Sequence, residues 1–279
     1  MNTEVPEVLT IIAGKGAYPR LLAESARKQG VKKLFAVAFK KETDKRIEGV
    51  VDETRWLYVG QMQKFVDALQ QSGAKYAVMA GAITPTNLFR VRMDSKMLEI
   101  LKKLPIKNAE TIFGAIGDEL KEINMELLPA SSFMESHMPN EGILTNDNLT
   151  EQQKKDIKLG LKAATTTSDL DIGQTVVIKD GTVLAVEAFD GTDETITRAG
   201  RLGGAGAVVV KVAKSGHDMR FDIPVIGMNT MKLLKKIKAS VLALEAGKAI
   251  LLERDEIIRE ANGIGMTIIV TEPRGKDIA

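Results

Sequence analysis

Between Asp169 and Gly227 the chain gathers Glu187, Asp190, Asp193, Lys211, Lys214, Asp218, Arg220 and Asp222 among short β-branched runs. Strands deliver such residues to a common sheet edge, where a phosphate or a hard cation can be held. Mg²⁺ takes oxygen ligands, usually one or two carboxylates completed by substrate phosphate and water. Glu187, Asp190, Asp193 and Asp218 are candidates for that role. Asp190 and Asp193 could equally make a turn and cap a helix starting near Thr192. Asp222 stands between Phe221 and Ile223-Pro224, and an acid in apolar company has a partner or a task. Lys211 interrupts the run Ala207 to Ala213. A charge in a buried strand is costly unless paired, so it neutralises phosphate or pairs with Glu187 on a neighbouring strand. Lys214 can join it, and Arg220 could clamp a phosphate with two parallel hydrogen bonds. His217 beside Asp218 suggests base catalysis but ranks below the carboxylates, and His137 reads as a solvated linker residue.

A second candidate lies near the start, where Gly14-Lys15-Gly16 joins an apolar run to Arg20-Leu21-Leu22-Ala23. Backbone N–H groups of such a loop, with the positive end of the helix dipole, can cradle a phosphate. The loop can also be a bare strand-to-helix turn. A dinucleotide fingerprint wants a third glycine where Pro19 stands. Gly81, ending a later apolar run, could line the same crevice, because open α/β sheets bind ligands at the carboxyl ends of strands.

The elements that must position these residues fall into two sets. Val8–Ala13, Leu34–Phe39, Trp56–Val59 and Tyr76–Ala80 read as strands. Helical spacing at 20–27 and 61–70 separates them, which predicts a Rossmann-like, doubly wound parallel sheet. Helices are expected at 95–103 and 108–124, and a strand at 126–128. Residues 134–150, with Pro139, Gly142 and three Asn, read as a linker. The boundaries predicted are 1–133 for the first domain and 151–279 for a mixed α/β catalytic domain. The second domain opens with a helix at 151–164. Lys179-Asp180-Gly181 then marks a hairpin between 174–178 and 182–187, since Asp-Gly suits the positive φ of a tight turn. A helix over 192–202 with Thr192 as N-cap, a strand over 207–213, and a helix over 229–238 follow. Strands at 241–243, 249–252 and 266–270, with a helix at 254–262, complete this α/β chain.

Composition narrows the function classes. Lys and Arg total 39 against 37 Asp and Glu, so a polyanion binder is not indicated. Twelve aromatics weaken base stacking, and no nucleic-acid partner is expected. Zero cysteines remove disulfides, thiolate metal sites and a cysteine nucleophile. No N-terminal basic stretch precedes an apolar segment and no apolar run reaches 18 residues, so a cytoplasmic location is expected.

The segments DLDIGQTVVIKDGTVLAVEAFDGTDETITRAG and VKVAKSGHDMRFDIPVIG, with the opening IIAGKGAYPRLLAESAR, resemble the LpxI family of UDP-2,3-diacylglucosamine pyrophosphatases. The resemblance runs from about Leu9 to Val270. It implies two domains with substrate between them, and Mg²⁺-dependent cleavage of UDP-2,3-diacylglucosamine to 2,3-diacylglucosamine 1-phosphate (lipid X) and UMP, in lipid A biosynthesis. It makes Asp222, in Asp222-Ile223-Pro224, the essential acid, and it suggests attack at the β-phosphorus. Lys211 and Lys214 would then stabilise phosphoryl charge, and Gly14, Lys15, Gly16, Gly81 and Arg220 would hold substrate. A lipid substrate implies peripheral contact with the inner membrane, and a homodimer suits an enzyme of this size. Two other readings stand beside this one. A nicotinamide oxidoreductase would use the first domain, with Lys40-Lys41 facing the 2′-phosphate of NADPH. A nucleotide-sugar sensor would bind without turnover.

Overall fold

The computed structural model describes residues 5–83, 93–106, 109–214, 220 and 223–273. These divide between Met134 and Glu135 into two compact units, with Arg220 grouped with the first.

In the first unit the order is β1 (Val8–Ala13), α1 (Tyr18–Lys28), β2 (Lys33–Phe39), β3 (Glu53–Leu57), α2 (Met62–Ser72), β4 (Tyr76–Ala80), α3 (Ser95–Lys103), α4 (Ala109–Glu122) and β5 (Glu126–Leu127). The sheet runs 3-2-1-4-5 and every pairing is parallel. β1 and β2 are near-continuous apolar runs because central parallel strands are covered on both faces. Phe35 and Val37 pack with Phe65 and Leu69 of α2, Ile100 of α3 and Leu120 of α4. Pro19 sits in the first turn of α1, where its missing N–H costs nothing. Gly73, at φ 66°, ends α2. This is the Rossmann-like sheet expected. The third strand begins at Glu53 rather than Trp56.

The second unit contains β6 (Gly142–Ile143), α5 (Glu151–Asp169), β7 (Thr175–Lys179), β8 (Thr182–Val186), α6 (Gly191–Gly203), β9 (Val208–Lys211), β10 (Val225–Ile226), α7 (Met228–Lys236), β11 (Val241–Glu245), β12 (Ile250–Leu251), α8 (Arg254–Gly263) and β13 (Thr267–Thr271). Its main sheet runs 6-13-11-9-7-8. β9, β11 and β13 are parallel, while β7, β8 and β6 pair antiparallel to their neighbours. β6 lies inside the segment expected as a linker. The hairpin turn is as expected, with φ of 49° at Asp180 and 77° at Gly181. Buried Asp156 on α5 accepts the N–H groups of Asp180 and Gly181 at 2.9 and 2.8 Å.

Side-chain alternation along β9 decides what faces what. Val208 and Val210 pack with Ile157 and Ala164 of α5. Val209 packs on the other face with Ile196 of α6, Leu234 of α7 and Ile257 of α8. Lys211 is two residues beyond Val209, so it shares the α6 face. The same count places Thr175, two before Val177, and Glu187, two after Ala185, on that face.

Candidate active site

Lys211 ends β9 and lies opposite Thr175, the first residue of antiparallel β7. Glu187 follows β8, beyond β7, and the loop after it leads into α6. All three therefore meet at the edge where the parallel strands end, the usual ligand edge of α/β sheets. The ammonium of Lys211 donates to Thr192 Oγ1 at 2.8 Å and to Thr175 Oγ1 at 3.3 Å. Thr192 in turn donates to Glu187 Oε1 at 2.8 Å. Glu187 Oε2 lies 4.0 Å from the ammonium, too far for a hydrogen bond. It has no hydrogen-bond partner among the described residues. Lys211 is 5% exposed and Glu187 9%.

Such burial is unfavourable for fold stability alone. Taking an ion out of water costs several kcal/mol, whereas a buried valine contributes about 1.5–3 kcal/mol. The cluster is therefore a better candidate for chemistry than for structural stability. The backbone is shaped to allow it. At Gly173 a Cβ would fall 2.1 Å from the Glu187 carbonyl oxygen, so the segment leading into β7 can lie against Glu187 only without a side chain there.

The surrounding predicted residues separate into distinct roles. Lys214 pairs with Asp171 through its ammonium. Asp190 accepts from Ala188 N–H at 3.1 Å and pairs with Arg198 at 3.1 Å. It occupies the N-cap position of α6 without making a cap hydrogen bond. Asp193 lies exposed in the first turn of α6, where an acid complements the helix dipole. Thr192 is not the N-cap: its hydroxyl joins Glu187 and Lys211 instead. The Lys211–Glu187 pairing reaches across β7 rather than to an adjacent strand. Arg220 belongs with the first unit, its guanidinium 3.2 Å from where a Cβ on Gly117 of α4 would stand. Asp218, Asp222 and His217 lie outside the described residues.

Sequence reasoning missed two residues of this edge. Thr175 carries a donor-acceptor hydroxyl at the register position of Lys211, a signal readable once the hairpin pairing is known. Glu245 ends β11 and is 1% exposed. Its Oε2 accepts the Ala213 N–H at 2.8 Å, fixing the chain as it leaves β9.

Mg²⁺ was expected on Glu187, Asp190, Asp193 and Asp218. No group of three or more such ligands occurs among the described residues. Asp190 is held by Arg198, and Glu187 has the ammonium beside it. With one or two carboxylates, a Mg²⁺ shell would need phosphate oxygens and water to complete it. Among the described residues, Glu187 Oε2 is a buried carboxylate oxygen without a hydrogen bond.

At the first unit's corresponding edge the glycine loop has another occupation. Gly14 N–H donates to Ala80 O at 2.7 Å and Lys15 N–H to Ala82 O at 2.7 Å. A Cβ on Gly14 would lie 2.6 Å from Ala82 O, and one on Gly81 2.5 Å from Lys15 O. The loops after β1 and β4 thus touch backbone to backbone where the strand order reverses. Two N–H groups that a phosphate cradle would use are already spent. Gly16, at φ 96°, has open space where its Cβ would be.

Comparison with known proteins decides the family. A model of the LpxI N-terminal domain matches residues 8–137, and one of the LpxI C-terminal domain matches residues 140–269. The chain belongs to the LpxI family. A curated relative, the UDP-2,3-diacylglucosamine pyrophosphatase LpxI of Caulobacter vibrioides, is 26% identical over 283 residues. That alignment spans 95% of this chain and 98% of the relative.

Among solved structures, the biotin carboxylase domain of Hydrogenobacter thermophilus 2-oxoglutarate carboxylase is 11% identical, with a TM-score of 0.30 over 71% of this chain and 41% of that one. Pyruvate carboxylase of Rhizobium etli is 10% identical, with a TM-score of 0.29 over 69% of this chain and 17% of that one. Scores this low bear on neither fold nor function. Among the described residues no helix is long and apolar enough to cross a membrane.

Proposed function

We propose that this protein is a UDP-2,3-diacylglucosamine pyrophosphatase of lipid A biosynthesis, releasing lipid X and UMP in a Mg²⁺-dependent reaction. The observation that carries this reading is the end-to-end match of both halves to one family, with 98% of the Caulobacter pyrophosphatase covered. The buried ammonium at the strand edge supports it, because phosphoryl transfer needs fixed positive charge where phosphate charge develops.

In this reading a water oxygen bonds to the β-phosphorus as the bond to the bridging oxygen breaks. The bridging oxygen leaves with UMP, and the new oxygen stays on the 1-phosphate of lipid X. Lys211 faces the phosphoryl group, preorganised by Thr192 and Thr175 so that little rearrangement accompanies the reaction. Lys214, oriented by Asp171, adds a second charge. Asp222 takes the water proton or helps to hold the ion. Asp218, Asp222 or Glu187 would hold Mg²⁺, which would supply screening of the phosphate charge. In this reading the enzyme works in the cytoplasm as a homodimer and visits the inner membrane for its lipid.

The test is UMP release from UDP-2,3-diacylglucosamine with and without Mg²⁺, run in H₂¹⁸O. The reading predicts metal-dependent UMP with the label in lipid X. Label in UMP would contradict attack at the β-phosphorus, and no UMP under any condition would end the reading. Asp222→Ala should abolish release while substrate still binds. Near-normal turnover in that variant would remove Asp222 from the mechanism.

A further inference from the structure

Thr192 occupies an unusual position for a residue in the first turn of a helix. Hydroxyls there normally serve the helix, either by capping N–H groups or by bonding back to a carbonyl four residues earlier. Thr195 and Thr197 of the same helix do the latter, bonding Gly191 O and Asp193 O at 2.9 and 2.8 Å. Thr192 instead donates to Glu187 Oε1 and accepts from Lys211, both at 2.8 Å. One hydroxyl therefore stands between a buried acid and a buried base whose closest charged atoms remain 4.0 Å apart.

We infer that Thr192 is a positioning residue that prevents Lys211 and Glu187 from closing into a direct ion pair. Two buried opposite charges attract strongly, and contact would satisfy Glu187 Oε2, which has no hydrogen bond among the described residues. Contact would also turn the ammonium away from any phosphate at the strand edge. The hydroxyl offers each ion a neutral partner in its place. Lys211 stays on the two threonine hydroxyls and Glu187 keeps one oxygen uncommitted among the described residues. Thr175 Oγ1, 3.5 Å from Thr192 Oγ1, supports the ammonium from the β7 side but makes no bond to Glu187 among the described residues.

This inference rests on the pyrophosphatase reading, and two experiments separate their failures. Thr192→Val keeps the shape and removes the hydroxyl. In the UMP-release assay its kcat and kcat/KM should fall together by roughly 10- to 100-fold, the scale of a lost hydrogen bond to a charged group. Thr192→Ser should restore most of the rate, and Thr197→Val, which removes a hydroxyl elsewhere on the helix, should leave it unchanged. Wild-type rates in Thr192→Val would overturn the inference. So would a loss that Thr192→Ser does not rescue.

A crystal structure of Thr192→Val, or of Thr192→Ala if valine is not tolerated, tests the same claim without turnover. Lys211 Nζ should move into hydrogen-bond contact with Glu187, and a separation still near the present 4.0 Å overturns the inference. If the wild-type protein releases no UMP, the function falls while this structural test still decides the role of Thr192.

Discussion

The two units present the carboxyl ends of their parallel strands in opposite ways. At the first sheet's edge the loops after β1 and β4 are joined by backbone, Gly14 and Lys15 donating to Ala80 and Ala82. At the second sheet's edge side chains meet instead, with Lys211, Glu187, Thr175 and Thr192 in one hydrogen-bonded group. Glycine at a strand end does not by itself mark a ligand site, since it also allows two backbones to touch. A buried lysine in a strand of valines has no such packing explanation. The difference places the chemical candidate in the second unit.

The comparison can be broken most forcefully at Gly14. A methyl group there meets the Ala82 carbonyl oxygen at 2.6 Å, and backbone cannot move aside as a side-chain end can. Gly14→Ala should cost about 3 kcal/mol or more in urea unfolding. A loss under about 1 kcal/mol would mean that the loops are not held together as described. Gly16→Ala meets nothing, so the expected cost is that of the positive φ alone, about 1–2 kcal/mol. A weakened affinity for UDP with normal stability would instead assign Gly16 to ligand binding.

The smallest effect concerns the far end of the first sheet. Asp52 accepts Leu34 N–H at 2.7 Å and pairs with Arg27 at 2.5 Å. The backbone bond first, and the guanidinium second, hold its carboxyl below the usual aspartate range. Its stabilisation is therefore complete above the unfolded-state pKa and is lost as pH falls through the folded one. Asp52→Asn should lower stability at neutral pH by less than about 1 kcal/mol, with the two proteins converging in acid. A difference that persists at low pH would contradict that assignment.

Much of this was legible along the chain, and the omissions share a cause. Asp180-Gly181 announces its own turn, because only local φ values are involved. Lys211 stands out because alternation within Ala207 to Ala213 is local too. Gly14 was visible as a glycine between strand and helix. Its reason, the carbonyl of Ala82, became available only with the 3-2-1-4-5 strand order. Thr192 offered cap chemistry by residue type. Its hydroxyl turned elsewhere because Asp190 took the N-cap position and Glu187 came alongside through β8. Glu245 was overlooked because the strand was expected to stop at Ala243, whereas pairing with β13 carries it to the acid.

The central claim, that fixed charge at the second sheet's edge performs the reaction, is tested most directly by one measurement. Lys211→Met keeps an unbranched side chain of similar length and removes the ammonium. Single-turnover UMP release should fall by about 10²- to 10³-fold, as for loss of a preorganised donor, while the thermal transition stays cooperative. UMP release within a few-fold of wild type would show that the chemistry lies elsewhere.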